Sequence, residues 1–328
     1  MLTGTIRNQI DQVWEMFWTG GVTNPLSVIE QISYLLFIRR LDEVQRTAER
    51  KAQATGMAIE KAIFSEEEAE LRWSSFKDAD PDVMFSLMQS KVFPKIKNLQ
   101  AQGSFAEHMQ DAIFMIPSAK LLDQVVQVLD SINMQDKDTK GDLYEYLLSK
   151  LQQSGVNGQF RTPRNIIQLM VELMQPKLAD TICDPASGTC GFLMAAIEYI
   201  EREHKSDLIK PHHREHFNNN LFTGYDFDSS MLRIGAMNML LHGIENPTVH
   251  KRDSLQDQGE DNITEAYSLI LANPPFKGSV DFDIIAPDLL RALGKSPKKR
   301  ATKTKAKKPT EKSELLFLAL ILGILHTA

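Results

Sequence analysis

Two consecutive prolines behind a short apolar run constrain this chain more than any other stretch. Leu269 to Ala272 is flanked by polar sequence, and Pro274 and Pro275 follow one residue later. Such a run reads as a buried parallel strand. Proline has no N–H to give to a ladder, so the strand must end there. The residue before a proline is held extended. Asn273 is therefore expected on a rigid turn at the carboxyl end of a strand, with Phe276 just beyond it. In open α/β sheets that end is where ligands bind. The Asn273 side-chain oxygen and the Pro274 carbonyl are both acceptors, and together they suit the two N–H bonds of a planar exocyclic amino group. Accepting both hydrogens would aim the nitrogen lone pair out of the plane of the ring, towards an electrophile. Phe276 offers a face on which an extruded base could stack. A lone Asn-Pro-Pro-Phe is equally a plain strand-ending turn, so the rest of the chain has to decide.

Upstream, the same pattern of strand, turn and helix recurs. Leu178 to Cys183 predicts a first strand, ending in Asp184-Pro185-Ala186-Ser187-Gly188-Thr189-Cys190-Gly191-Phe192. Glycines at 188 and 191 permit a tight turn and close backbone approach before a helix to Tyr199. The turn lacks Gly-x-Gly-x-x-Gly and the P-loop Lys-Ser/Thr, which removes support from dinucleotide and ATP readings. Leu221 to Tyr225 predicts a second strand ending in Asp226-Phe227-Asp228, where an acid is placed to hold ribose hydroxyls. A helix is expected from Ser230 to about His242. Thr248 to Lys251 predicts a third strand, and Asp253 behind it is an acceptor suited to an adenine amino group. Any one such acid is more often a turn residue. Their recurrence at successive strand ends is what points to a site.

The remainder divides in two. At 328 residues a two-domain chain is expected, and 42% hydrophobic with 24% charged residues describes an ordinary globular protein. Residues 4–130 read as mostly helix. Ile6, Ile10, Val13, Trp14 and Phe17 recur at helical spacing, and Thr23-Asn24-Pro25 is a strong restart. Trp73 and Phe76 look like core anchors. Asp136 to Gly141 is polar and reads as a hinge, followed by a helix from Asp142 to Leu151. The domains are accordingly set at 1–135, helical, and 136–328. Within the second, Gly155 to Arg164 reads as a Gly-rich loop leading into a helix that begins near Pro163, with Thr162 as its expected N-cap. A helix N-terminus of that kind suits a carboxylate.

Charge and cysteine usage narrow the classes. Cys183 and Cys190 are the two cysteines, so there is no disulfide framework, and a cytoplasmic location is expected. No signal-peptide layout opens the chain. Leu315 to Leu325 is too short to span a bilayer and reads as a helix buried on both sides, so no membrane association is expected. Net charge is −6, yet Lys298, Lys299, Arg300, Lys303, Lys305, Lys307 and Lys308 crowd the stretch 295–312. That stretch reads as a basic loop, either a solvated linker or a contact to DNA phosphates. His212-His213-Arg214-Glu215-His216 contains His-x-x-Glu-His, a zinc-peptidase pattern, but without a strong amphipathic helix to carry it. It is read as a solvated connection, and no metal site is expected.

Taken in order, Gly158-Gln-Phe-Arg-Thr-Pro, Asp184-Pro-Ala-Ser-Gly-Thr-Cys-Gly-Phe, Gly224-Tyr-Asp-Phe-Asp and Asn273-Pro-Pro-Phe resemble the amino-group DNA methyltransferases. More closely, they resemble the adenine-methylating modification subunit of type I restriction-modification systems, and so does the helical N-terminal segment. The resemblance implies a Rossmann-like, S-adenosylmethionine-dependent methyltransferase domain of α/β class behind a helical assembly domain. It implies that Phe160 and Thr162 contact S-adenosylmethionine, Thr162 near the methionine carboxylate. Asp184 and the segment Pro185-Ala186-Ser187-Gly188-Thr189, with Gly191, would hold the methionine part, Asp226 the ribose and Asp253 the adenine. Asn273, Pro274, Pro275 and Phe276 would form the catalytic turn. The implied partners are DNA, a DNA-specificity subunit, a second modification subunit and a motor-nuclease subunit. Family members continue past the last apolar helix into further strands. Against them the chain reads as C-terminally truncated, with an incomplete sheet of about four strands and the Asn273 strand at its edge. Two alternatives stay open on the residues: an inactive subunit serving assembly alone, and a methyltransferase for protein glutamine or RNA.

Overall fold

The computed structural model describes residues 4–59, 62–99, 105–134, 137–153, 162–257, 259, 263–276, 279–281, 283–295 and 310–325. The chain forms two compact units, one of Met1–Gln159 with Leu240–Gly243 and one of Phe160–Met239 with Ile244–Ala328.

The first unit is helical. The helix Pro25–Thr55 starts where the capping signal stands: the Asn24 side-chain oxygen accepts from the Leu26 and Ser27 amides at 2.9 and 3.4 Å. Ile10, Val13 and Phe17 of the helix Gly4–Thr19 are fully buried, as the spacing predicts. So are Leu122, Val125, Val126 and Leu129 of the helix Ala119–Ser131. Each such side chain contributes about 1.5–3 kcal/mol by leaving water. Trp73 and Phe76 do anchor the core, edge to face with ring centroids 5.6 Å apart. The Trp73 indole N–H donates to Asp130 at 2.8 Å, and Lys77 pairs with the other oxygen of that carboxylate.

The expected hinge at Asp136 to Gly141 is not one, because residues 137–141 already belong to the helix Lys137–Gln153. Polar composition alone does not break a helix, and no glycine-proline pair interrupts this one. Leu143, Tyr144, Leu147 and Leu148 are its buried residues at full depth. Tyr144 meets Ser33 through a 2.7 Å hydroxyl contact, while the Tyr146 hydroxyl donates to Asp11 at 2.8 Å.

The second unit carries a four-stranded sheet. Its strands are β1 (Ile182–Asp184), β2 (Phe222–Asp226), β3 (Thr248–Lys251) and β4 (Leu269–Ile270). They run parallel in the order β3-β2-β1-β4. Asp184 lies opposite Gly224, and Asp226 opposite Lys251, so the acidic strand ends share one rim. Helices Gly191–Glu203 and Ser229–Leu241 follow β1 and β2. β4 pairs with β1 on one side, and next to it Tyr267 makes an isolated parallel bridge to Leu325.

Two expectations for the last part of the chain need correction. The stretch 295–312 is not loop throughout, because β6 (Thr310–Lys312) pairs antiparallel with β5 (Ser279–Asp281). Lys298, Lys299, Arg300, Lys303, Lys305, Lys307 and Lys308 lie outside the described residues. The helix Ser313–Ile324 is buried along Leu316, Phe317, Ala319 and Ile324, but Leu315, Leu318 and Leu322 are exposed. A helix apolar all round carries no stripe from which its buried face could be read.

Candidate active site

The first component is the loop behind β1. Asp184 is 2% exposed, and its Oδ1 accepts the Ala186 amide at 3.0 Å, so its carboxylate shapes the turn from within. Gly188 at φ +50° and Cys190 at φ +62° bend the chain through left-handed geometry. Cys190 bears the cost of that region without being glycine, which is a mark of functional loops. Three neighbours pin the loop. The Gly188 amide donates to Asp226 Oδ2 at 2.9 Å, Ser254 Oγ donates to the Pro185 carbonyl at 2.7 Å, and Asn238 Nδ2 donates to the Thr189 carbonyl at 3.0 Å. Helix Ser229–Leu241 presses on it through Gly235, where an added Cβ would stand 2.7 Å from Cys190 Sγ.

The loop leaves room and polar capacity for a ligand. A Cβ built on Gly188 would meet nothing within 4 Å, and the buried Ser187 Oγ has no hydrogen-bond partner among the described residues. The acids are electrostatically tense. Burial pushes the Asp184 carboxyl up to about 7; the Ala186 amide pulls it back and the nearby Asp226 charge pushes it further. Burial likewise raises Asp226 above the usual carboxylate range, against the Asp228 and Gly188 amides. A cationic or hydroxyl-rich ligand beside Asp226 would relieve that acid.

The acids differ in what they are free to do. Asp226 accepts the Asp228 amide at 2.9 Å on one oxygen and the Gly188 amide at 2.9 Å on the other, and the Phe227 amide also favours its charged form. Asp228 is committed as helix cap, accepting from Ser230 and Met231 at 2.8 and 3.1 Å. Asp253 Oδ1 takes the Leu255 amide at 3.1 Å. Phe227, beside Asp226, is 71% exposed and was not singled out from the sequence. Its signal was there: a large aromatic ring placed between two acids at a strand end has no core to enter.

The second component is the turn behind β4. Leu271 is tied to β1 through its amide and the Cys183 carbonyl at 3.0 Å. Asn273 Nδ2 donates to Thr162 Oγ1 at 2.9 Å, which turns the amide oxygen to the opposite side. Ser313 Oγ donates to the Pro275 carbonyl at 3.3 Å, a contact that sequence reasoning did not find. Phe276 stands 48% exposed beyond the prolines. Thr162 is not the N-cap expected of it. The helix Arg164–Met174 starts on Pro163, whose carbonyl receives the Ile166 and Ile167 amides, and the threonine hydroxyl is spent on Asn273 instead.

The structure thus joins Thr162 to Asn273, and joins Asp226 to the loop of Asp184, Pro185, Ala186, Ser187, Gly188, Thr189 and Gly191. Asp253 stands next to Ser254, which holds the Pro185 carbonyl, with its own carboxylate on the Leu255 amide. Phe160 lies outside the described residues. The His212 to His216 segment does form a helix, Pro211–Asn219, contrary to expectation. His213 and His216 meet the carbonyls of Asp207 and Asp180, and among the described residues no cluster of ligating side chains is placed to hold a metal. A cavity of about 490 Å³ lies in the helical unit, lined by Arg39, Arg40, Arg46 and Arg50 with Asp42, Glu43 and Asp130. Its charges largely answer one another, and Arg39 is engaged with the carbonyls of Leu129 and Ile132 that end a helix.

Comparison with known proteins places these observations. A family model described as N-6 DNA Methylase matches residues 135–328, and one described as HsdM N-terminal domain matches residues 6–129. The chain is 28% identical over 273 residues to the methylase subunit of the type I restriction enzyme EcoEI of Escherichia coli, covering 79% of this chain and 53% of that protein. It is 25% identical over 308 residues to the type II methyltransferase M.MamI of Microbacterium ammoniaphilum, covering 87% of this chain and 79% of that one. A solved structure from Vibrio vulnificus YJ016, described as a type I modification subunit, shares the fold. Its TM-score is 0.68 at 23% identity, over 86% of this chain and 62% of that chain. The chain spans about half the length of the Escherichia coli relative.

Proposed function

The chain belongs to the N-6 DNA methylase family, and on that premise we propose that it is the modification subunit of a type I restriction-modification system. Its activity is then transfer of a methyl group from S-adenosylmethionine to the N6 amino group of adenine in DNA. The observation that carries the reading is the turn behind β4. Thr162 takes an Asn273 N–H and Ser313 donates to the Pro275 carbonyl, so among the described residues Asn273 Oδ1 and the Pro274 carbonyl are the acceptors of this turn left to a substrate.

In this reading Asn273 Oδ1 and the Pro274 carbonyl accept the two N–H bonds of the target adenine, and Phe276 stacks on its ring. Holding both hydrogens keeps the amino lone pair out of conjugation and points it at the incoming carbon. Bound S-adenosylmethionine supplies that electrophilic methyl on a sulfonium. The loop from Asp184 to Gly191 and the hydroxyl of Thr162 hold its methionine part, Asp226 its ribose hydroxyls, and Asp253 its adenine, with Phe227 as the exposed platform. No side-chain base has to act before attack, because catalysis comes from positioning and lone-pair orientation. The amino proton leaves to water afterwards. Residues 1–135 serve assembly and 136–328 carry the chemistry. The partners are DNA, a specificity subunit that reads the sequence, a second copy of the chain and a motor-nuclease subunit, in the cytoplasm where the chromosome lies. The basic tract from Lys298 to Lys308 contacts DNA phosphates.

Calorimetric titration with S-adenosylmethionine tests the cofactor half, beside an Asp226→Ala control. The expected result is saturable binding that the substitution abolishes. Labelled methyl transfer to unmethylated DNA, with a specificity subunit present, tests the rest. Asn273→Ala should retain cofactor binding and lose transfer by about 100-fold or more, as when an oriented polar group is removed from an active site. Equal transfer by both proteins would refute the assignment.

A further inference from the structure

The hydrogen bond between Asn273 and Thr162 has a direction, and the direction has chemical content. A carboxamide has one accepting end and one donating end, and the two differ by a half-turn of the side chain. With Nδ2 on Thr162 Oγ1 at 2.9 Å, the amide presents oxygen on its other side. The flipped amide would present N–H bonds there, which repel an amino group instead of accepting from it. Thr162 arrives from the segment before the helix Arg164–Met174, and Asn273 from the turn behind β4, 111 positions away in sequence. A hydroxyl has one proton and room to accept. Once Oγ1 accepts from Asn273, its own proton is left to donate elsewhere.

We infer that Thr162 is a positioning residue that selects the productive face of the Asn273 amide and links it to the cofactor. The inference rests on the methyltransferase reading above. Donation by Thr162 to the cofactor's carboxylate makes Oγ1 a better acceptor, since bonds in a chain polarise one another. The Asn273 amide is then held most firmly when the cofactor is in place. Cofactor binding prepares the acceptor pair for the base, and the two substrates bind with positive coupling.

Wild type is compared with Thr162→Ser, Thr162→Val and Thr162→Val combined with Asn273→Ala, each assembled with its specificity subunit. Asn273→Ala alone is the reference for the last. Thermal unfolding establishes that each is folded, and Thr162→Ser keeps the hydroxyl should the valine variant unfold. The readouts are cofactor affinity and the single-turnover rate of methyl transfer at saturating S-adenosylmethionine. Thr162→Val should be slower by about 3- to 10-fold at saturation, the effect of one neutral hydrogen bond. Thr162→Ser should match wild type, and Thr162→Val should cost nothing further once Asn273 is alanine. If saturating cofactor restores the valine variant to the wild-type rate, or if its loss persists in the Asn273→Ala background, Thr162 is a cofactor contact alone and the inference falls. If wild type itself binds cofactor but transfers no methyl to DNA, the methyltransferase reading fails first and takes the inference with it.

Discussion

At the scale of single residues, Asp184 shows how a strand-end acid can serve a site without facing it. Its carboxyl is raised to about 7 by burial and the Asp226 charge, against the Ala186 amide. Below about pH 4 the folded and unfolded chains both hold that proton. Between there and 7 the unfolded chain has released it while the folded chain keeps it, so ionisation favours unfolding and stability falls as pH rises. The full effect is ~4 kcal/mol, and it is complete above 7. Asp184→Asn keeps an acceptor for Ala186 and removes the titration. Thermal unfolding between pH 5 and 8 should show a markedly flatter slope in the variant. The sequence made the acids at 184, 226 and 253 visible as a set. It could not tell which pointed into the turn and which to a ligand, because that choice is made by backbone amides from Ala186, Gly188 and Asp228. Thr162 was likewise visible as a polar residue before a helix, but its partner lies on a turn far away in sequence and leaves no local signal.

At the scale of elements, the strands and their order of appearance were legible from apolar runs and stops. β3 falls at Thr248–Lys251 as expected, and β2 is displaced by a single residue. Ends were harder. β1 is only Ile182–Asp184, since 178–179 form a turn and the strand begins after two further residues. How elements press together was not legible at all, and Gly235 is the case in point. It interrupts a good helix for no local reason, and the loop across the interface explains it: an added Cβ would stand 2.7 Å from Cys190 Sγ and 3.1 Å from the Gly188 carbonyl oxygen. Gly235→Ala should improve the helix by its own propensity and yet destabilise this unit by about 1–3 kcal/mol through overpacking. A lowered melting temperature with weakened S-adenosylmethionine binding is the expected outcome. An unchanged melting temperature would mean that the loop gives way at no cost.

At the scale of the molecule, the two units should answer pH with opposite signs. In the helical unit burial pushes Asp42 up, but hydrogen bonds from Ser74 and Arg72 more than offset it and hold it below the usual range. Asp130 is depressed in the same way by Lys77 and Trp73. Depressed carboxyls contribute stability that is present above the unfolded pKa and lost as pH falls through the folded one. The sheet unit, with Asp184 and Asp226 raised, should instead weaken as pH climbs from 4 to 7. Amide exchange followed by mass spectrometry at pH 5 and 7.5, corrected for intrinsic rates, should show protection falling in peptides of 182–226 while those of 25–55, already above the range where Asp42 and Asp130 titrate, hold steady. A parallel change in both would contradict this. The two-domain plan could be foreseen from composition, but this contrast could not, since it depends on which acids find partners. The contact between Thr162 and Asn273 adds a consequence in time. It closes a loop of 111 residues, and contacts of such separation form late and slowly, after the nearer ones have repaid their chain entropy. The acceptor turn is thus expected to mature last as the chain folds, when the cofactor loop behind β1 already stands. A refolding chain should regain its affinity for S-adenosylmethionine before its ability to transfer a methyl group.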